Sequence, residues 1–270
     1  TLLDIVSRYN LYSGGGALPP LWGLGFWHRV PAKATDKQVQ AEVAEFAKRD
    51  MPLDVIGLEP GWMTKSYPCT LEWQPKRFPH PETFARGLLA KGIRLNLWIN
   101  PYISPEGSLY KKLYPLSGSH MVWLGIVPDY TLKSARDIFA AHYKKHLLDI
   151  GISGLKVDEV DGYDKWLWPD HATFPSGYSG EQMRQVYGML LQKMQVEQYR
   201  ASNLRTCGLI RANNGAASGY PFAIYSDSYS HSQYITGVSA ASLCGVMWCP
   251  EVRTAGNGRE WLNRMQTSCF

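Results

Sequence analysis

The chain has 270 residues, of which 45% are hydrophobic and 19% are charged, and its 28 basic and 23 acidic residues leave a net charge of +5. This size and balance exclude a small disulfide-stabilised scaffold and a disordered chain. The basic residues are dispersed, so no nucleic-acid-binding patch is predicted. No apolar run reaches the roughly 20 residues that a membrane span requires.

The cysteine pattern predicts neither a metal site nor a disulfide framework. The number of cysteines is odd, and none of them form a Cys-x-x-Cys pair. We therefore expect buried, reduced thiols and no metal ion or other cofactor. The five cysteines are Cys69, Cys207, Cys244, Cys249 and Cys269.

Short apolar runs alternate with amphipathic helical patterns along the chain. The runs are apolar almost throughout, which is typical of parallel strands covered on both faces. The predicted strands are 22–27, 53–58, 93–99, 154–157, 208–211, 222–225 and 245–248. Helices are predicted to begin at Thr35 or Asp36 and at Pro81, and to span 135–150, 179–200 and 261–267.

Seven strand–helix units predict an α/β fold of the (β/α)8 barrel type, truncated before its eighth strand. An open, doubly wound sheet would require a glycine-rich turn after its first strand, and the sequence there is WHRVP. We expect a single catalytic domain over residues 1–270, with inserted loops at about 101–130 and 161–178. Because the chain does not begin with Met and lacks one strand, it is expected to be part of a longer protein whose remaining domains act as partners.

Acidic residues follow four of the predicted strands. Because the carboxyl ends of all strands in such a barrel meet at one face, these side chains are expected to converge there. A single buried carboxylate has an ordinary structural explanation as an ion-pair partner, whereas a set of them indicates a site. The residues are Glu59, Asp158, Glu159, Asp161, Asp227 and Glu251.

Aromatic residues lie near the same strands and indicate a carbohydrate substrate. Aromatic faces stack on the apolar faces of sugar rings, and carboxylates accept hydrogen bonds from sugar hydroxyls. The alternative role for these aromatic residues is ordinary packing in the core. The aromatic residues are Trp27, Trp62, Trp98, Trp166, Trp168, Tyr225 and Trp248.

Other kinds of chemistry are less well supported by the residues. Metal-dependent hydrolysis would need clustered histidines, and neither an HxH nor an HExxH pattern occurs. Lys156 could form a Schiff base, as in barrel aldolases. A sugar-binding protein without catalysis would keep the aromatic residues but would need no carboxylate pair.

Three stretches form a recognisable pattern, namely residues 154–159, 73–79 and 92–101. They resemble glycoside hydrolase family 31, whose members are retaining α-glycosidases. Residues 154–159 (GLKVDE) resemble the family's catalytic strand. Residues 73–79 (WQPKRFP) and 92–101 (GIRLNLWINP) are similar to its third barrel unit. Arg211 precedes Asp227 by sixteen residues, which is the family's spacing between a sugar-site arginine and its acid/base. The resemblance extends from about residue 20 to residue 270.

The resemblance implies that Asp158 is the nucleophile and Asp227 the acid/base, with Glu159 as the alternative acid. Lys156 could supply positive charge beside Asp158 or form a salt bridge on its strand face. The implied sugar-binding residues are Glu59, Trp62, Trp98, Lys156, Glu159, Arg211, Trp248 and Glu251. The resemblance also implies an N-terminal β-sandwich elsewhere in a longer chain and, from the substrate class, an extracytoplasmic location.

Two departures from the family pattern concern the sugar pocket. Glu59 occupies the position of a family aspartate, and residues 249–251 (CPE) replace a His-Asp pair. We therefore leave the sugar open, with N-acetylgalactosamine, galactose and glucose as candidates. An α-transglycosylase would use the same two aspartates and remains an alternative.

Overall fold

The computed structural model describes residues 1–160, 167–211, 214–225, 227, 230–249 and 251–268. Within them, seven parallel strands form one curled sheet in the order β1-β2-β3-β6-β7-β8-β9, and β4 pairs antiparallel with β5 in a separate hairpin. The strands are β1 Trp27–Arg29, β2 Val55–Leu58, β3 Arg94–Ile99, β4 Ser117–Val122, β5 Gly125–Pro128, β6 Gly154–Val157, β7 Gly208–Ile210, β8 Phe222–Ile224 and β9 Met247–Trp248.

The seven-stranded sheet is part of a (β/α)8 barrel. In the described part of the chain β1 and β9 are its two edges, so the barrel is open where an eighth strand would close it. The expected truncated barrel is therefore confirmed. The helices are α1 Leu2–Tyr12, α2 Asp36–Lys48, α3 Pro81–Ala90, α4 Tyr110–Leu113, α5 Lys133–Tyr143, α6 Gly180–Ala201, α7 His231–Leu243 and α8 Gly258–Ser268.

Local sequence signals set several helix starts. Thr35 and Gln38 form a reciprocal capping box at the start of α2, and Ser179 and Gln182 form another at the start of α6. Pro81 occupies the first turn of α3, where its missing N–H costs no hydrogen bond. Because the N–H groups at these helix ends have hydrogen-bond partners or are absent, the residues define where each helix begins.

The outer face of the sheet packs against helices in an apolar layer. Ile99, Leu155 and Val157 face Phe139 of α5 and Leu191 of α6, all of them buried. Because successive strand residues alternate between faces, the residues between these point into the barrel. They include Trp98 and Lys156, which are register partners on β3 and β6.

The first predicted strand, 22–27, is wrong. Residues Leu21–Leu24 form a 3-10 turn between Pro20 and Gly25, and β1 begins only at Trp27. The apolar run is an exposed turn, with Leu21 85% and Leu24 68% exposed, whereas β1 contains the polar residues His28 and Arg29. The long insertion at 101–130 also contains α4 and the β4–β5 hairpin, which were not predicted.

Among the described residues, no helix combines the length and apolar character needed to cross a membrane. No group of three or more His, Cys, Asp or Glu side chains in the described ranges is arranged to hold a metal ion.

Candidate active site

Backbone hydrogen bonds continue the sheet one residue beyond several strands and bring the site residues together. The N–H of Asp158 donates to Ile99 O over 2.8 Å, that of Arg211 to Val157 O over 3.1 Å, and that of Tyr225 to Ile210 O over 3.1 Å. Asp158, Arg211 and Tyr225 therefore lie side by side at the carboxyl edge of the sheet, where barrels place their sites.

Asp158 is almost completely buried, and three groups donate hydrogen bonds to its carboxylate. The indole N–H of Trp98 donates to Oδ2 over 2.7 Å, and the backbone N–H of Glu159 donates to Oδ1 over 2.8 Å. The Nη1 of Arg211 lies 3.3 Å from Oδ1. A buried anion needs such partners, since its desolvation would otherwise cost several kcal/mol.

Arg211 joins Asp158 to Asp227. The same Nη1 donates to Oδ2 of Asp227 over 2.8 Å. Because both contacts end on one nitrogen, the two carboxylate oxygens lie no more than about 6 Å apart. The Arg211 side chain is 9% exposed and that of Asp227 is 39% exposed, so the pair opens toward solvent on the Asp227 side.

A second charged cluster contains Arg29, Glu59 and Lys156. Arg29 is ion-paired with Glu59 and donates to Oδ1 of Asn96 over 3.0 Å. Lys156 Nζ lies 3.6 Å from Glu59 and 4.5 Å from the centre of the Tyr225 ring. A Cβ atom at Gly57 would collide with the Arg29 guanidinium, so glycine at that position makes room for the cluster.

This second cluster distinguishes between the two roles considered for Lys156. The cation bound to Asp158 in the structure is Arg211, whereas Lys156 forms a salt bridge with Glu59. The alternative role for Lys156, a salt bridge on its strand face, is the one observed.

Glu251 lies near both groups of charges. Burial raises the pKa of its carboxyl, and the nearby Asp227 charge acts in the same direction, while Lys156 and Arg29 oppose them. The charges of Asp227, Lys156 and Arg29 therefore all act on Glu251, which follows the edge strand β9.

Glu159 follows Asp158 in an unusual backbone conformation. Its φ angle is 59°, in the left-handed region that non-glycine residues rarely adopt. Asp227 has a φ angle of 51°, so Glu159 and Asp227, the two residues considered as the acid, both have strained backbone conformations.

Only some of the aromatic residues expected at the site contact it. Trp98 touches Asp158, and Tyr225 lies close enough that the Asp158 charge, after burial, contributes to raising the pKa of its phenol. Trp62 is 1% exposed and donates its indole N–H to Trp98 O over 2.7 Å, so it supports Trp98 from behind.

Three other predicted aromatic residues contact neighbouring parts of the fold. Trp248 packs toward Gly237 of α7, Trp27 donates to Gly23 O over 3.1 Å, and Trp168 donates to Gly180 O over 2.8 Å. Asp161 and Trp166 lie outside the described residues.

Sequence reasoning missed Arg29, Tyr67 and Tyr102. Tyr67 is 45% exposed, and its ring lies 5.3 Å from that of Trp98 and 5.0 Å from that of Trp123. Burial and the charges of Glu159 and Asp158 raise the pKa of its phenol. Tyr67 lies in an irregular segment without periodicity, so no sequence pattern marked it, whereas Arg29 would have been found had β1 been placed correctly.

The family comparison agrees with this geometry. The model of the "Glycosyl hydrolases family 31 TIM-barrel domain" matches residues 16–268. The chain therefore belongs to glycoside hydrolase family 31.

Individual relatives match different shares of this chain and only part of their own length. An alpha-xylosidase of Emericella nidulans is 23% identical over 92% of this chain and 34% of that protein. The alpha-xylosidase XylQ of Lactiplantibacillus pentosus is 31% identical over 40% of this chain and 15% of that protein. This chain thus spans about a third of the length of the fungal relative.

A solved structure shows the same fold. The GH31 alpha-xylosidase from a soil metagenome, complexed with xylose, superimposes with a TM-score of 0.79 at 19% identity, covering 92% of this chain and 39% of that one.

Proposed function

We propose that this chain carries the catalytic centre of a retaining α-glycosidase that removes a terminal α-linked sugar. The observation that supports this most strongly is the pair of contacts from one Arg211 nitrogen to Asp158 and Asp227. The resulting limit of about 6 Å applies to one oxygen of each carboxylate and is compatible with the roughly 5–5.5 Å separation of the two carboxyl groups in retaining enzymes.

In the first step Asp158 attacks the anomeric carbon as the bond to the leaving oxygen breaks, and Asp227 gives its proton to that oxygen. The buried, hydrogen-bonded Asp158 suits the nucleophile, and the more exposed Asp227 suits the residue that meets the leaving group. A protonated Asp227 can still accept from Arg211 through one oxygen while its other oxygen carries the proton.

In the second step a water molecule attacks the anomeric carbon of the glycosyl ester on Asp158. Asp227, now ionised, takes the water's proton, and the ester bond breaks to restore the Asp158 carboxylate. Two inversions return the sugar with its original α configuration.

The proposed sugar is one of a small set of candidates. Glu59 is ion-paired with Arg29 and Lys156, and Glu251 is half-buried near both cations. The two carboxylates that depart from the family pattern are therefore part of one cluster of charged side chains. N-acetylgalactosamine and galactose remain our candidates beside glucose, and the names of the relatives add xylose.

The test uses the complete protein and the p-nitrophenyl α-glycosides of N-acetylgalactosamine, galactose, glucose and xylose. We expect one of them to be hydrolysed, with the α anomer released first in an NMR time course. Asp158→Asn and Asp227→Asn should abolish or strongly reduce turnover, the latter by about 10²–10⁴-fold. Asp137→Asn, in an exposed ion pair with Lys133, is the matched control.

The same experiment separates the alternatives. A sugar-binding protein without catalysis would bind a sugar but hydrolyse none of the four glycosides. A transglycosylase would release the aryl group yet transfer the sugar to an added acceptor in preference to water. Activity that persists in both Asp variants would contradict the assignment.

A further inference from the structure

The backbone that follows the proposed nucleophile is held in place by a residue that lies on another element. Glu159 has a φ angle of 59°, and its N–H donates to Asp158 Oδ1 over 2.8 Å. If Glu159 relaxed to an ordinary conformation, that N–H would turn away from the carboxylate. Strain of this kind persists only where surrounding contacts maintain it.

Tyr102 supplies such a contact. Its hydroxyl donates to the carbonyl oxygen of Glu159 over 2.6 Å, from a side chain that is fully buried. The backbone N–H of Tyr102 donates to Oδ1 of Asn100 over 3.2 Å, and its ring packs edge-on against Trp123 at 5.5 Å. Tyr102 is therefore fixed at its backbone, its ring and its hydroxyl.

The two hydrogen bonds act on opposite sides of Glu159. Tyr102 holds the peptide group that follows Glu159, and Asp158 Oδ1 accepts from the peptide group that precedes it. With both peptide groups fixed, the left-handed conformation between them is fixed as well.

We infer that Tyr102 is a positioning residue for the nucleophile, acting through the Glu159 backbone to orient the Asp158 carboxylate. This inference rests on the proposed function, in which Asp158 attacks the anomeric carbon. It adds a residue whose hydroxyl acts on the Glu159 backbone.

The direct test is Tyr102→Phe in the complete protein, which removes only the hydroxyl. We expect kcat to fall about 10- to 100-fold, since small misplacements of a reacting group have effects of that size, with KM changed less than twofold. The matched control is Tyr187→Phe, because Tyr187 is also fully buried and its hydroxyl donates to a backbone carbonyl, that of Pro128, over 2.9 Å. Its kcat should equal that of the wild type.

Leaving-group dependence distinguishes this role from loss of acid catalysis. A misplaced nucleophile slows attack on every substrate, so the loss in Tyr102→Phe should be equal for dinitrophenyl and for poorly departing aryl glycosides. In Asp227→Asn the loss should be much smaller for the dinitrophenyl substrate, which needs no proton.

A second pair of variants tests the conformation itself and does not depend on whether Tyr102→Phe folds. Glu159→Gly and Glu159→Ala remove the same carboxylate, but glycine adopts a positive φ freely and alanine does not. We expect kcat to be about tenfold higher for the glycine variant. Equal values, or a higher value for alanine, would contradict a required left-handed residue at 159.

The outcomes for the two proposals differ. If Asp158→Asn is inactive and Tyr102→Phe stays within twofold of the wild type, the positioning role is wrong and the proposed function stands. If Asp158→Asn retains activity, the proposed function fails and this role fails with it.

Discussion

The indole N–H of Trp98 donates a hydrogen bond to Oδ2 of Asp158 over a distance of 2.7 Å. Trp98 is itself 1% exposed and is held from behind by the indole of Trp62, which donates to its carbonyl oxygen. The donor is therefore fixed before any substrate arrives, as expected of a preorganised site. Trp98 thus contributes more to the site than the sugar-stacking surface that the sequence suggested.

Replacing this donor should impair the chemical step. Trp98→Phe keeps an aromatic ring but removes the N–H, and hydrogen bonds to charged groups contribute about 1.5–3 kcal/mol. We expect kcat to fall about 10- to 100-fold. Trp168→Phe, which removes a buried indole N–H that donates to Gly180 O, should lower stability and leave kcat unchanged. Equal kcat values in both variants would contradict the role of Trp98.

Arg211 should be important for stability as well as catalysis. Arg211→Met leaves the buried Asp158 without its cation, and breaking a buried pair in this way typically destabilises a fold by about 3–5 kcal/mol. Thermal unfolding of the complete protein should show a lower melting temperature. Adding Asp158→Asn to Arg211→Met should recover part of the loss, because the uncompensated charge is removed. A double variant less stable than Arg211→Met would contradict this explanation.

Glu251 should make stability depend on pH. Because burial raises its pKa in the folded state above the ordinary value of 4.5, ionising Glu251 costs the fold free energy. That free-energy cost is absent below pH 4.5. It develops as the pH rises from 4.5, the pKa in the unfolded chain, to the higher pKa of Glu251 in the folded protein. Glu251→Gln should therefore melt at the wild-type temperature at pH 4 and above it at pH 8, while its kcat/KM falls.

A control of opposite sign is available at Glu260. Its pKa is lowered by the Gly256 N–H and by Arg264, so its ionised form stabilises the fold at neutral pH. Glu260→Gln should lower the melting temperature at pH 8 and have no effect well below pH 4.5.

A Glu251→Gln variant that is less stable than the wild type at pH 8 would contradict the prediction for Glu251. It would show that Lys156 and Arg29 stabilise the Glu251 carboxylate more than burial disfavours it.

The thiols should differ in reactivity. Burial raises the pKa of Cys207 and of Cys249 to about 12, so at pH 8 only about one in 10⁴ of these groups is a thiolate. Cys244 is exposed. Iodoacetamide at pH 8, followed by peptide mass spectrometry, should label Cys244 long before Cys207 and Cys249, and urea should abolish the difference. Early labelling of Cys249 would indicate that the barrel interior opens.

The sequence predicted the sheet better than it predicted the segments around it. Strands such as Arg94–Ile99 and Gly154–Val157 are covered on both faces, so their apolar composition reveals them. The edge strand Trp27–Arg29 is short, with Arg29 pointing into the barrel and His28 toward α2, so it lacks an apolar run, whereas the adjacent turn has one. Helix α7 was missed because its small and polar residues, such as Ser239 and Ala240, lack an apolar period.

The sequence predicted which residues form the candidate site better than it predicted the contacts between them. Strand ends converge in any barrel, so Asp158 and Asp227 could be placed at one face from topology alone, whereas Arg211 was indicated by the family resemblance. Which cation binds which carboxylate depends on side-chain reach and on space, such as that left by Gly57 for Arg29. Sequence spacing contains neither quantity, so it left two roles open for Lys156, and the structure pairs Lys156 with Glu59.

The most direct test of the account is to trap the glycosyl–enzyme ester. The complete protein would be treated with the 5-fluoro α-glycosyl fluoride of the sugar that it hydrolyses, digested, and mapped by mass spectrometry. The account predicts one added fluoroglycosyl group per chain, attached to Asp158, and no adduct in Asp158→Asn. A label on a different carboxylate, or turnover without any accumulated ester, would contradict Asp158 as the nucleophile.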